Sequence, residues 1–149
     1  MNILAILLSL LILAGLGGLM SLSRQQRRRR ASQVPDHEVV KIARGVPARL
    51  YVDHDVLDGP RKGVINRSPA DLVLTPTRLI IATRHGRVLE LTKANPGSVR
   101  CTGPRRLIIE GERLRKQGTM KVRLELIVDD AESWSAMAAE RLESALSAV

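Results

Sequence analysis

Ile3 to Met20 form an unbroken run of eighteen residues with no charge and a single hydroxyl, Ser9. As a helix the run would be about 27 Å long, close to the thickness of a bilayer hydrocarbon core. It is apolar on every side, whereas helices that pack on a soluble core usually carry a polar face. A cleaved signal peptide is the main competing reading. That reading wants a positive start, a shorter apolar stretch and a small-residue cleavage site. Here only Met1 and Asn2 precede the run, and Arg24, Arg27, Arg28, Arg29 and Arg30 follow it within a few residues. Arginines flanking a span hold that end in the cytoplasm. The expectation is a single-pass anchor over residues 1–23 in the cell (inner) membrane, with the N-terminus outside and the rest of the chain cytoplasmic.

Residues 24–36, RQQRRRRASQVPD, show no apolar periodicity and end near Pro35. They read as a flexible, solvated, Arg-rich linker. Its five arginines form a membrane-proximal basic cluster, each worth about 1 kcal/mol near an anionic surface. A pure topology role would account for them equally well. Ser32 lies just past the cluster, where a phosphate could be added. Ala14 with Gly18, and Gly17 with Ser21, stand four apart, a spacing that lets membrane helices approach closely. Gly and Ala are also simply common in such helices.

Composition limits what the rest can be. The formal net charge is +9, with one Trp, one Tyr, no Phe, one Cys and three His. So few aromatics argue against readers that stack bases on aromatic platforms, and no nucleic-acid partner is expected. One Cys and three His cannot build a four-ligand Cys/His zinc site, and one Cys cannot make an intrachain disulfide. The sequence has no phosphate-binding glycine loop, nucleophile elbow or Cys-x-x-Cys. Asp53-His54-Asp55 is the one local group that invites a metal, and it fits better as a polar strand end. His85 beside Gly86 reads as a turn residue, and Cys101 as a small core residue. The expectation is a protein that is not an enzyme and has neither cofactor nor metal.

From residue 37 the pattern changes to period two. Met120, Val122, Leu124, Leu126 and Val128 share one face, with Lys121, Arg123 and Glu125 on the other, as in a half-buried antiparallel strand. Arg105–Leu114 is its expected partner, with Leu107 and Ile109 inward and a turn at Gln117-Gly118. Further strands are expected at Arg49–Asp53, Asp71–Leu74, Arg78–Thr83, Arg87–Thr92 and Val99–Thr102. Turn signals every eight to twelve residues fit a small all-β barrel or sandwich. At the end, Asp129 followed by Glu132 reads as a capping box. From Trp134 to Val149, apolar residues recur at helical spacing over about five turns.

About seven short strands followed by one amphipathic helix is a specific layout. The segment Ala70-Asp71-Leu72-Val73-Leu74-Thr75-Pro76-Thr77-Arg78-Leu79-Ile80-Ile81 resembles the strand–Thr–x–x–Arg–Leu–strand hairpin of the pleckstrin-homology-like (PH-like) superfold, in particular its GRAM and bacterial PH-like branches. Gly86–Leu91, Arg105–Ile109 and the helix with Trp134 follow in the family's order. The family often has Phe after Arg-Leu, where this chain has Ile80 and Ile81. The resemblance implies a mainly β fold over residues 37–149: a small antiparallel barrel or sandwich closed by a C-terminal α-helix.

It also implies a binding module. Domains of this superfold that hold phosphoinositides use cations in the loop after the first strand. The matching stretch here is Gly59–Arg67, which makes Arg61, Lys62 and Arg67 the candidate lipid- or anion-binding residues. Arg84 and Arg87 flank a second turn, and Arg113, Arg115 and Lys116 a third. Many members instead offer a sheet edge, or the groove beside the helix, to a protein. Two readings stay open. One is a tethered module that contacts anionic headgroups or a membrane-protein partner. The other is an accessory subunit docked into a larger membrane complex.

Overall fold

The computed structural model describes residues 3–54, 61–115 and 118–143. It contains an N-terminal helix, seven strands and a C-terminal helix. Helix α1 spans Ile3–Ala31 and is followed by a short 3-10 turn at Asp36–Glu38. The strands are β1 (Lys41–His54), β2 (Arg61–Leu74), β3 (Arg78–Thr83), β4 (Gly86–Thr92), β5 (Gly97–Gly103), β6 (Arg106–Arg115) and β7 (Gly118–Ile127). Helix α2 runs from Ala131 to Glu143.

The strands form one antiparallel sheet in the order β4-β3-β2-β1-β7-β6-β5. The fourteen-residue β1 sits in the middle, so the chain lays down one half of the sheet, crosses to β5, and returns to pair β7 with β1. The sheet curls into a half-barrel. Side chains alternate across it because successive Cβ atoms point to opposite faces. On the inner face Leu72, Leu74, Leu79, Ile81, Leu89 and Leu91 meet Leu107, Ile109, Leu124 and Leu126. With no Phe in the chain, this core is aliphatic apart from Trp134, which is 2% exposed.

The two ends of the sheet meet where β4 lies over β5 and β6. A Cβ on Gly111 would come within 2.5 Å of a Leu91 methyl, so the absence of a side chain permits this approach. Asn95, in the β4–β5 connection, ties the seam: its Nδ2 donates to Glu90 O at 2.8 Å and to Glu112 O at 2.9 Å. Helix α2 covers the inner face with Ala131, Trp134 and Ala138. The Lys41 ammonium lies 5.2 Å from the centre of the Trp134 ring and donates to Ser133 Oγ at 2.7 Å.

This architecture is the expected mainly β fold with a closing helix, and it is compatible with the PH-like superfold. Met120, Val122, Leu124, Leu126 and Val128 are all buried, as the alternation requires. Three local expectations need correction. First, β1 and β2 are much longer than the pieces at Arg49–Asp53 and Asp71–Leu74. Second, α2 begins one residue later than a capping box on Asp129 demands. Asp130 takes a left-handed conformation (φ 62°), while the Asp129 carboxylate pairs with Arg105 at 3.0 Å. Third, residues 24–31, read as flexible linker, are helical.

Candidate functional site

The third correction has a local cause. Arg24–Ala31 consists of Arg, Gln and Ala, all good helix formers, with no Gly or Pro to stop a helix arriving from the apolar run. Arg28, Arg29 and Arg30 occupy the last turn, where cations suit the helix dipole. Absence of apolar periodicity is not absence of structure, because a highly charged helix needs none. The helix stops near Pro35, which also biases Val34 to extended backbone. Its final carbonyls are taken up locally and by the barrel. Ser32 N–H donates to Arg28 O at 3.1 Å, Ser32 Oγ to Arg29 O at 3.2 Å, and Arg87 Nε, from β4, to Ala31 O at 3.3 Å.

The helix end is fastened at Asp71 on β2, a carboxylate with no solvent exposure. Register shifts in the β1–β2 ladder between Ala43 and Val46, where Gly45 adopts φ +67°. A β-bulge of this kind removes an N–H from the ladder. Asp71 restores its partner: Gly45 N–H donates to Asp71 Oδ1 at 2.8 Å. The same carboxylate faces Arg28 from α1. Nε lies 2.9 Å from Oδ1, a close charge pair in which the N–H is not aimed squarely at the oxygen. Ser32 Oγ donates to Asp71 Oδ2 at 3.3 Å, and Arg44 Nη1 approaches that oxygen at 3.5 Å.

Apolar contact reinforces the joint. Val34, with Val39 beside it, packs on Val73 and Ile80, which project from the outer face of β2 and β3. The outer face of this half of the sheet is therefore covered by the end of α1 and the segment that follows it. Ser32 is buried there at 1% exposure, so its hydroxyl is not presented for modification in this arrangement.

Upstream of the joint, α1 stands clear of the barrel. One stretch of it is long and apolar enough to cross a membrane, and the side chains of its most apolar window are not buried within the protein. Leu7, Leu11 and Leu16 are all more than half exposed. Exposure on that scale means that this stretch is no part of the core of the barrel.

The anchored helix and the barrel enclose two basic clefts. The nearer to the apolar run has a volume of about 460 Å³. Gly17, Met20 and Ser21 line its apolar end, and Arg24, Arg28, Arg67 and Arg84 its polar end. The other, about 1080 Å³, lies further along α1 and is lined by Arg29, Arg30 and Arg44 among others. A third groove, about 850 Å³, crosses the outer face of β1, β7 and β6. Its charges largely neutralise one another: Arg123 pairs with Glu110 and Glu125, and Tyr51 donates to Glu125.

The sequence-based candidates are scattered over this frame. Arg67 is exposed on β2, with Arg49 as its Cα partner on β1, and it reaches the first cleft. Arg61 and Lys62 belong to the backbone of β2, as partners of His54 and Asp53, so these residues are not in a loop; their side chains lie outside the described residues. Residues 55–60, including Gly59 and Pro60, also lie outside. Arg24 and Arg28 join Arg67 and Arg84, while Arg29 and Arg30 line the second cleft. Arg27 is exposed on the same helix. Arg87 is occupied by Glu90, at 2.7 Å, and by Ala31 O. Cys101 is half-buried, its Sγ 3.0 Å from Gly103 O. Among the described residues no group of three His, Cys, Asp or Glu side chains could hold a metal.

Asp71 is the residue whose importance sequence reasoning missed. It lies inside the resemblance motif, on the outward side of a strand whose neighbours Ala70, Leu72 and Val73 are fully buried. An acid in such surroundings requires a cationic partner, and the arginine run was the obvious supply. The chain matches no protein-family model, and a search of curated proteins returns no match either.

Proposed function

We propose that this chain is a non-enzymatic, single-pass membrane module of bacterial, GRAM-like PH type. In this reading α1 crosses the inner membrane with its N-terminus outside and holds the barrel against the cytoplasmic face. There the barrel contacts anionic lipid headgroups or a membrane-protein partner. The observation that carries the reading is the union of anchor and barrel: one helix runs from the exposed apolar residues to a charge pair with a buried barrel carboxylate.

A flexible tether would leave the barrel free to tumble below the membrane. A helix fixed at Asp71 presents the same flank of the barrel to the surface at all times. Even weak contacts then act at high effective concentration. The arginines at the helix end supply the cytoplasmic bias and an attraction for anionic lipid. The docked-subunit alternative gains little support. Among the described residues the barrel exposes only three large apolar side chains, Ile42, Leu114 and Ile127, each on a different strand.

The test is made on the full chain in cells. A C-terminal reporter active only in the cytoplasm should be active, and the protein should resist alkaline extraction from membranes. A reporter active only outside, or release by alkali, contradicts the proposal.

A further inference from the structure

We infer that the barrel lies against an anionic bilayer through one patch on the outer face of β1, β2, β7 and β6. Pro47, Pro69 and Ile127 meet the headgroup layer, and Arg49, Arg67 and Arg106 meet its phosphates. The inference deepens the membrane-module reading and rests on it.

Register builds the patch. Arg49 on β1 is the Cα partner of Arg67 on β2, and Pro47 of Pro69. Ile127 on β7 is the partner of Arg106 on β6. These residues lie on the side of the sheet away from the core, since the alternating Ala48, Ala70, Leu124 and Leu126 point inward. Together they line a groove of about 410 Å³. Pro47 and Pro69 are exposed, and Ile127 is 49% exposed. Proline is rare inside a sheet because it gives no N–H to the ladder. Here two stand opposite each other in interior strands and turn their apolar rings outward.

Position ties the patch to the membrane. Asp71, Pro69 and Arg67 follow one another along the outer side of β2. Asp71 fastens α1 through Arg28. Pro69 and Arg67 belong to one wall of the cleft whose other wall includes Gly17, Met20 and Ser21. Arg24 is the first charge after the apolar run, so it marks where α1 leaves the hydrocarbon. Gly17 lies about 10 Å deeper along the helix axis. The patch therefore begins at the membrane boundary and carries the contact made by the anchor across the sheet.

Charge selects the lipid. Elsewhere on this face Arg100 and Arg123 are balanced by Glu110 and Glu125. Glu125 is the neighbour of Arg49 on β7, but its carboxylate is taken by Arg123 at 3.2 Å and Tyr51 at 3.4 Å. Among the described residues Arg49, Arg67 and Arg106 form no ion pair. Like charges directly opposite on neighbouring strands are destabilising, so the Arg49–Arg67 pair is a cost to the fold that a bound anion relieves. Guanidinium groups donate in pairs to phosphate oxygens. An acidic protein could answer the same charge, but only a lipid surface is already held at this level by α1.

The experiment uses the full chain in nanodiscs of phosphatidylcholine, with and without phosphatidylglycerol. A spin label is placed at Ile127→Cys or at Ala136→Cys, on a Cys101→Ser background. Ala136 is exposed on α2, which packs on the opposite, inner face of the sheet. Power saturation compares collisions with oxygen, which concentrates in lipid, and with a nickel complex, which stays in water. With phosphatidylglycerol present, the label at 127 should meet more oxygen and less nickel than the label at 136. Without it, the shielding at 127 should shrink. R49Q/R106Q should remove most of that shielding even with phosphatidylglycerol present. R29Q/R30Q, which removes the same charge from α1, should leave it in place. The readout is contact at one position rather than overall affinity, so a general loss of positive charge does not reproduce the difference.

A label at 127 as open to nickel as the one at 136 would place the patch in water and overturn the inference, leaving the patch to a protein partner. Equal shielding with and without phosphatidylglycerol would deny the arginines their role and overturn the assignment to anionic lipid. Equal losses in the two variants would mean diffuse surface charge and overturn it as well. If the chain resists alkaline extraction yet position 127 stays open to water, the patch inference fails alone. If alkali releases the chain, the membrane reading fails with it.

Discussion

Replacing Asp71 with Asn tests the joint between helix and barrel at its centre. Asn keeps the shape and one oxygen, so the Gly45 N–H bond at 2.8 Å can survive. What is lost is the charge opposite Arg28, in a pair whose side chains are 13% and 0% exposed. Breaking a fully buried pair costs about 3–5 kcal/mol. Arg28 sits on the last turns of α1 and can partly swing out to water, and the amide still fills the space. The expected loss is therefore about 2–3 kcal/mol, at the lower side of that range. Arg44 also faces Asp71, but at 3.5 Å and with 48% of its side chain exposed. Its contribution should be that of a surface pair, below about 1 kcal/mol. A double-mutant cycle separates the two. The D71N/R28Q cycle should give a coupling of about 1.5–3 kcal/mol, and D71N/R44Q less than about 0.5. Denaturant unfolding in a neutral detergent can be followed by Trp134, the only Trp and a buried one. Equal couplings for Arg28 and Arg44 would refute the claim that the helix is fastened through a buried charge pair.

Gly97→Ala should destabilise more than Gly111→Ala in thermal melts, by a margin of about 1 kcal/mol or more. At Gly97 the new methyl meets the backbone oxygen of Glu110, which cannot yield, whereas at Gly111 it meets only the mobile ends of Leu91 and Leu89. Trp134→Ala should cost about 3–5 kcal/mol by circular dichroism, since it empties the centre of the α2 contact. Lys41→Met should cost about 1–2 kcal/mol, since the ammonium over the ring face, its bond to Ser133 Oγ and its pair with Asp130 are lost together. Neutralising Arg27, Arg29 and Arg30 while keeping Arg28 should scramble orientation without undocking the helix; a C-terminal reporter that stays wholly cytoplasmic would show that these arginines do not set topology.

Elements whose signal is local were legible from the sequence. The apolar run needs no partner to be recognised, and period-two alternation marks β7 and β6 because one face of each strand is buried and the other is wet. The β3–β4 hairpin is betrayed by His85-Gly86, and Gly86 does take a positive φ, 97°. The far halves of β1 and β2 were not legible. Their ladder is interrupted at Ala43/Val46 and again at Leu50/Tyr51, and each interruption shifts the alternation out of phase. The helical state of Arg24–Ala31 follows from its own helix-forming residues, but its docking depends on contacts with β2 and β4, residues 40 or more positions away. No window of local sequence contains both partners. The candidate site suffered in the same way: Arg67 was visible as a cation, but its companions Arg24 and Arg84 come from other elements and are gathered only by the docking of α1.

The measurement that bears most directly on the account is the distance between helix and barrel in a bilayer. Spin labels at Leu19→Cys and Thr102→Cys, on a Cys101→Ser background, place one probe in the span and one on an exposed barrel position. Double electron–electron resonance in nanodiscs should give a single narrow distance distribution, because α1 runs unbroken into the Asp71 joint. A flexible segment between anchor and barrel would give a distribution many ångströms wide, as expected for a solvated chain of that length. That result would contradict the rigid mounting on which the proposed function depends.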